Sequence, residues 1–271
     1  MSAPIAVSAI KTNRTNIVGM GLRLRPTIDR EVLGMSDEEA KRWEKKTQRE
    51  FELWAKSKQC DAIKVNNFYE MQQIACMSWL TNGDAVGLIE YCDEEKAFMP
   101  YELRIHLIES DKVCNPQSTG AYVNLWETNP DNGNRIYNGV EIDSKGGVVA
   151  YHICNTYPNS ALVTQKKWTR VKAFGDRTGM PNVLMIFESE RAEQYRGVPY
   201  LAPVIEALKQ LTRYSEAEIM AAVINGFFTV FITSEKSPSE MPFTGIAGDD
   251  EDEYDTDNSY GLGPGMINVL A

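Results

Sequence analysis

The chain has 271 residues, of which 43% are hydrophobic, 24% charged and 10% aromatic, a composition too apolar for a wholly disordered polymer and long enough for one large domain or two modest ones. Its 28 Lys and Arg are outnumbered by 38 Asp and Glu, giving a formal charge of -10, the wrong sign for a protein that grips nucleic acid over a broad basic surface. The five cysteines, Cys60, Cys76, Cys92, Cys114 and Cys154, contain no C-x-x-C pair, which excludes a zinc ribbon and fits a reducing compartment better than a disulfide framework.

The first ten residues lack the charged flank and continuous apolar core of a signal peptide. The longest apolar run, Met220 to Ile232, is broken by Asn225 and Gly226 and is shorter than the ~20 residues a membrane span requires. A soluble chain is expected.

Ser36 followed by Glu39 forms a capping-box signature, and the periodicity after it predicts a helix to about Lys58. Ala40, Trp43, Thr47, Phe51 and Trp54 share one side of that helix and are expected in the core, opposite a charged side. Residues 67–82 read as a second helix, apolar around much of its circumference and expected to be deeply buried. Ala85 to Cys92 and Tyr101 to Glu109 then read as strands.

Val140-Glu-Ile142 and Val148 to Ile153 flank the turn-forming Asp143-Ser-Lys-Gly-Gly147 and predict a β-hairpin. Val183 to Phe187 is a further short strand. From about Pro203, Val204, Leu208, Leu211, Ile219, Ala222 and Val223 recur at helical spacing until Gly226, which predicts a helix of roughly 24 residues, about 36 Å long. Phe227 to Thr233 is β-prone, residues 249–257 are intensely acidic, and the chain finishes in an apolar, strand-like run at 266–271. Such a finish leaves a strand in need of partners, so a longer parent chain is expected. The fold class is α+β.

Candidate chemistry is sparse. Gly19-Met-Gly21 and Gly261-Leu-Gly-Pro-Gly265 do not complete a dinucleotide fingerprint, and no P-loop is present. His106 and His152 both sit in strand patterns, and nothing brings either to a particular cysteine. Asp255, Asp257 and Ser259 begin like a calcium loop, but Tyr260 and Met266 occupy the positions that need glycine and a bidentate glutamate. Asp131, Asp143 and Lys145 follow the carboxylate, carboxylate, lysine order of magnesium-dependent nucleases, which is the alternative reading. The predicted turn holds Asp143 and Lys145, whereas that chemistry wants them on a strand. No cofactor or metal site is expected.

On the long helix, Lys209 and Arg213 lie one turn apart on the same side, positioned either to reach a phosphate backbone or to pair with Glu206, Glu216 or another subunit. Ala202, Ala207, Ser215, Ala217, Ala221 and Ala222 are small enough to let helices approach closely, in a core or between copies.

Four segments carry a resemblance: Asn13 to Leu24, the hairpin Gly139 to His152, Tyr195 to Tyr214 with its Arg196-Gly-Val-Pro199 lead into the long helix, and Leu262 to Leu270. Together they resemble the portal proteins of lambda-like tailed bacteriophages. The resemblance implies a non-catalytic, dodecameric ring at one capsid vertex, assembled in the host cytoplasm and retained in the virion. Double-stranded DNA would pass through it, driven by a terminase, and capsid and head-completion proteins would attach. It further implies a wing-like α+β region at 1–200, a stem-like helix at 201–226 and an incomplete clip-like region at 227–271. On that reading Lys209, Arg213, Ala221 and Ala222 are candidates for the channel wall or the subunit interface. Asp249, Asp250, Glu251, Asp252 and Glu253 are candidates for docking the motor. Portal chains of the family continue further, so a truncated chain is expected, and net acidity suits a conduit along which polyphosphate must slide.

Overall fold

A computed structural model describes residues 4–92, 99–116, 126–158, 166–226, 230–233 and 267–270. The chain divides into two compact units, Met1–Ile205 and Glu206–Ala271.

The first unit opens with α1 (Pro4–Ile17), a single turn α2 (Arg30–Leu33) and α3 (Asp37–Lys56). Both halves of the expected capping box start α3: Ser36 Oγ accepts from Glu39 N, and Glu39 returns to accept from Ser36 N. Ala40 and Trp54 are buried as expected, and the Trp54 indole donates to Leu103 O at 2.9 Å. Trp43 departs from the expected core stripe and is 45% exposed.

Asn67 caps α4 (Phe68–Asn82) in a second box, with Glu70. Met71, Cys76 and Leu80 are buried, while Ile74 is exposed, so the helix is covered on part of its circumference only. Its buried side receives Ile10 and Val18 from α1 and the residue after it. Trp54, Ala55, Cys60 and Met71 form a second cluster between α3 and α4.

Three strands form one antiparallel sheet, in the order β2 (Leu103–Ile108), β1 (Asp84–Tyr91), β8 (Val183–Phe187). Five form a second, in chain order: β3 (Trp126–Thr128), β4 (Arg135–Tyr137), β5 (Val140–Ile142), β6 (Val148–Cys154) and β7 (Trp168–Lys172). The expected hairpin is β5–β6, and it carries a register shift at Glu141/Ile142. Val86 and Val183 from the first sheet share a core cluster with Val140, Ile142 and Tyr151 from the second. The β4–β5 connection is the two-residue turn Asn138-Gly139, with φ of 45° and 84°, the left-handed pair that matches strand twist.

The second unit comprises nearly all of α5 (Ile205–Gly226), preceded by a 3-10 turn at Ala202–Val204, and two strands, β9 (Val230–Thr233) and β10 (Ile267–Leu270), paired in parallel. α5 has 22 residues, about 33 Å at ~1.5 Å each. Among the described residues no helix is long and apolar enough to cross a membrane. The α+β expectation holds.

Candidate functional site

The segment Arg196-Gly-Val-Pro199 is the structural junction of the first unit. Arg196 donates through Nε to Asp84 Oδ2 at 2.5 Å and through Nη2 to Asp84 Oδ1 at 3.3 Å. Its remaining donors reach three main-chain carbonyls, of Ser110 at 3.0 Å, Val113 at 2.8 Å and Asn138 at 2.7 Å. One guanidinium thereby joins the first residue of β1, the connection after β2, and the β4–β5 turn. A planar fork of five donors is the group suited to this task, because each buried carbonyl would otherwise lack a partner.

Glycine permits the approach. A Cβ on Gly197 would lie 1.8 Å from Gly83 O, and Gly83 itself closes α4 with a φ of 94°. Three residues on, Tyr200 N donates to Leu80 O at 3.2 Å, satisfying a carbonyl of the last turn of α4, and Leu201 packs against the Ile10–Leu80 cluster. The chain leading to Ile205 is therefore fixed by an ion pair, a close glycine contact and an apolar anchor.

A second polar centre lies inside the five-stranded sheet. Glu141 is fully buried and accepts from Arg170 Nε at 2.7 Å, Arg170 Nη2 at 2.9 Å, Asn132 at 2.7 Å, Asn134 at 2.8 Å and Asn129 at 3.2 Å. His152 Nε2 lies 2.9 Å from its Oε2. Burial alone would raise the Glu141 pKa, but the Arg170 guanidinium, the asparagine amides and His152 together hold it far below the usual carboxylate range. Through its three asparagines, the loop 129–134 takes its shape from this carboxylate.

The residues of the nuclease alternative serve the same scaffold. Asp143 Oδ1 accepts from Lys145 N and Gly147 N, both at 2.8 Å, and closes the β5–β6 turn. These bonds hold its pKa below the ordinary value. Asp131 lies exposed in the loop 129–134, its N–H donating to Asn129 Oδ1. No group of three or more His, Cys, Asp or Glu able to hold a metal occurs among the described residues.

Neither histidine meets a cysteine: His152 faces Glu141, and His106 Nδ1 lies 2.9 Å from Glu90 Oε1. Burial, with Asp61 beside it, pushes the Cys60 thiol up to about 11, and burial raises Cys76 and Cys114 as well. These thiols are poor nucleophiles.

On α5, Ile219, Met220 and Ile224 are each at least 60% exposed, and no charge interrupts the run Ile219–Ile224. Ala221 and Ala222 lie in this run and are also exposed. Lys209 and Arg213 are exposed, and neither forms an ion pair with Glu206, Glu216 or any other described residue. Asp249, Asp250, Glu251, Asp252 and Glu253, together with Asp255, Asp257, Ser259, Tyr260 and the Gly261–Gly265 segment, lie outside the described residues.

Sequence reasoning missed Asp84, Glu141 and Arg170. Glu141 carried a signal, a carboxylate between two apolar residues of a strand, twelve residues after the first of three closely spaced asparagines. Arg170 and Asp84 carried none, because their partners are distant in the chain.

A sequence model of the family described as phage portal protein, lambda family, matches residues 1–271. The chain is 23% identical over 248 residues to a probable portal protein of Halomonas phage phiHAP-1, which covers 90% of this chain and 42% of that protein. The chain thus spans about two fifths of the length of that relative. The family is structural and not enzymatic, in keeping with Asp143, Glu141 and Arg196 all being spent on holding turns and strands together. On these grounds the chain belongs to the lambda family of phage portal proteins.

Proposed function

We propose that this chain forms the wing, first stem helix and beginning of the clip of a ring-shaped conduit for double-stranded DNA at one vertex of a tailed-phage capsid. The ring is a dodecamer assembled in the host cytoplasm, and it serves both packaging and ejection of the genome. α5 stands beside its own copies to form the wall. Its observation in support is the uncharged, exposed six-residue run Ile219–Ile224: a helical stretch apolar all round is stable in water only when its sides are covered. Ala221 and Ala222 let neighbouring helices approach closely. Lys209 and Arg213, which form no ion pair among the described residues, face the bore as a sparse ring of cations, guiding a polyanion that the chain's net negative charge otherwise repels. The acidic residues Asp249, Asp250, Glu251, Asp252 and Glu253 face the terminase, and capsid and head-completion proteins bind elsewhere on the ring.

The test is steric. In the full-length parent, Ala221→Trp and Ala222→Trp should abolish rings in sedimentation experiments while leaving the unfolding midpoint of the dissociated subunit within a few degrees of wild type. An equal loss of assembly and of subunit stability would make these alanines ordinary core and contradict the assignment.

A further inference from the structure

We propose that the basic, apolar strip Met20–Arg25 is a docking surface for a second copy of this chain, and that it receives the acidic loop Glu188–Glu193 of that copy. The proposal rests on the ring reading above and identifies the surfaces by which neighbouring first units meet.

Charge is distributed unevenly along the sequence. The first 28 residues contain Lys11, Arg14, Arg23 and Arg25 and no acid, whereas the remaining 243 carry 24 basic and 38 acidic side chains. The strip also exposes apolar surface that the fold leaves uncovered: Met20 is 91% and Leu22 59% exposed, and Leu24 is exposed beside them. In the order Leu22-Arg23-Leu24-Arg25, apolar and basic side chains alternate, the pattern of a strand with an apolar and a cationic side.

The strip is fixed before any partner arrives. The Gln72 side chain clamps Leu22 as a neighbouring strand would, accepting from Leu22 N at 2.6 Å and donating to Leu22 O at 3.2 Å. Gln73 donates to Gly19 O at 3.0 Å. Gly21, at a φ of 107°, lies so close to the Tyr69 side chain that an added Cβ would sit 2.5 Å from it. Beyond the clamp, the main chain of Arg23, Leu24 and Arg25 makes no hydrogen bond among the described residues. Neither Arg23 nor Arg25 forms an ion pair among the described residues, and Glu52, the acid whose charge Arg23 senses in its own copy, is paired with Lys56.

The complement lies on the same chain. Glu188, Glu190 and Glu193 are exposed, form no ion pair among the described residues, and outnumber the one cation of the loop, exposed Arg191. Their loop is equally fixed, since the Gln194 side chain accepts from Glu190 N and donates to Arg196 O, both at 2.9 Å. Exposed Ile186 and Val198 flank it, so the loop, like the strip, combines charge with apolar surface. Two complementary patches that do not pair within one copy pair between copies, head to tail, which is the arrangement that closes into a ring. Phosphate contacts need only the cations. The interleaved Met20, Leu22 and Leu24 need a partner that excludes water, which favours protein over DNA.

The experiment uses the full-length parent protein. Arg23→Glu with Arg25→Glu should lower the fraction sedimenting as rings at least tenfold at low salt, with the circular dichroism spectrum unchanged. Adding Glu188→Lys, Glu190→Lys and Glu193→Lys to the same chain should restore rings, because each proposed acid–base contact is then reversed. Rings formed equally well by the Arg23/Arg25 variant would overturn the strip alone. So would rings that persist while binding to a double-stranded oligonucleotide is lost, because the strip would then serve DNA. A wild-type parent that never forms rings would contradict the ring reading itself.

Discussion

Arg196 and Asp84 are 112 residues apart in the chain and 2.5 Å apart between Nε and Oδ2. Asp84 is 1% exposed, and among the described residues its carboxylate meets this guanidinium and Gly197 N at 3.3 Å. The ion pair is consequently a fastening of the fold. Removing Arg196 leaves the buried Asp84 carboxylate without its cationic partner.

Arg196→Lys should therefore be far from conservative. A lysine ammonium can keep the charge on Asp84 but cannot also reach the Ser110, Val113 and Asn138 carbonyls. A loss of about 1–3 kcal/mol or more, the cost of leaving buried carbonyls without a donor, is expected in urea unfolding. A change below about 0.5 kcal/mol, the range of ordinary surface substitutions, would contradict the role given to Arg196.

Gly197→Ala should destabilise through contact alone. The new methyl would meet Gly83 O at 1.8 Å, a main-chain atom that cannot swing aside. The chain on either side is held by Arg196 and Tyr200, so relief requires moving the end of α4. A cost of at least about 1–3 kcal/mol follows from such overpacking, read as a lowered thermal midpoint. An unchanged midpoint would show that the crossing is loose.

Glu141 sets a pH dependence. Its carboxyl is held far below the ordinary value of about 4.3, so the folded state binds its proton less readily than the unfolded state. Its contribution is complete above that ordinary value and is lost progressively as pH falls from there toward the depressed folded value. Thermal midpoints measured from pH 6 down to pH 3 should fall more steeply for wild type than for Glu141→Gln. The variant should already be less stable at pH 7, by about 3 kcal/mol or more, because Arg170 is left without its partner. Parallel curves for the two proteins would contradict this account.

Ser36→Ala should cost about 1 kcal/mol by removing the hydroxyl that accepts from Glu39 N at the start of α3. Fluorescence-detected urea unfolding gives the value, and Ser36→Asp should recover most of it. Failure of aspartate to recover stability would place the effect outside the cap.

That cap was legible in the sequence because every atom it uses lies within four residues. The β5–β6 hairpin was legible for the same reason, with Asp143 and Gly147 in one turn. α1 escaped notice because its first turn holds no acid to signal a start, and its apolar contribution rests on Ile10 meeting Cys76 and Leu80 of a different helix. β4 and β7 are short and bear Arg135, Arg170 and Lys172, side chains that obscure strand alternation. Arg196 stood out as part of a family motif, yet its partners Asp84, Ser110, Val113 and Asn138 could not be read without coordinates. Trp43 shows the opposite failure, since helical periodicity placed it with Trp54 although the described residues leave it 45% exposed.

The central claim is that copies of this chain's parent stand side by side around a passage for DNA. Negative-stain electron microscopy of the purified full-length parent tests it most directly. The account requires closed rings with a central opening and a subunit mass ratio of about twelve by native mass spectrometry. A complete protein that stays monomeric at micromolar concentration, or that closes into a solid particle without an opening, would contradict it.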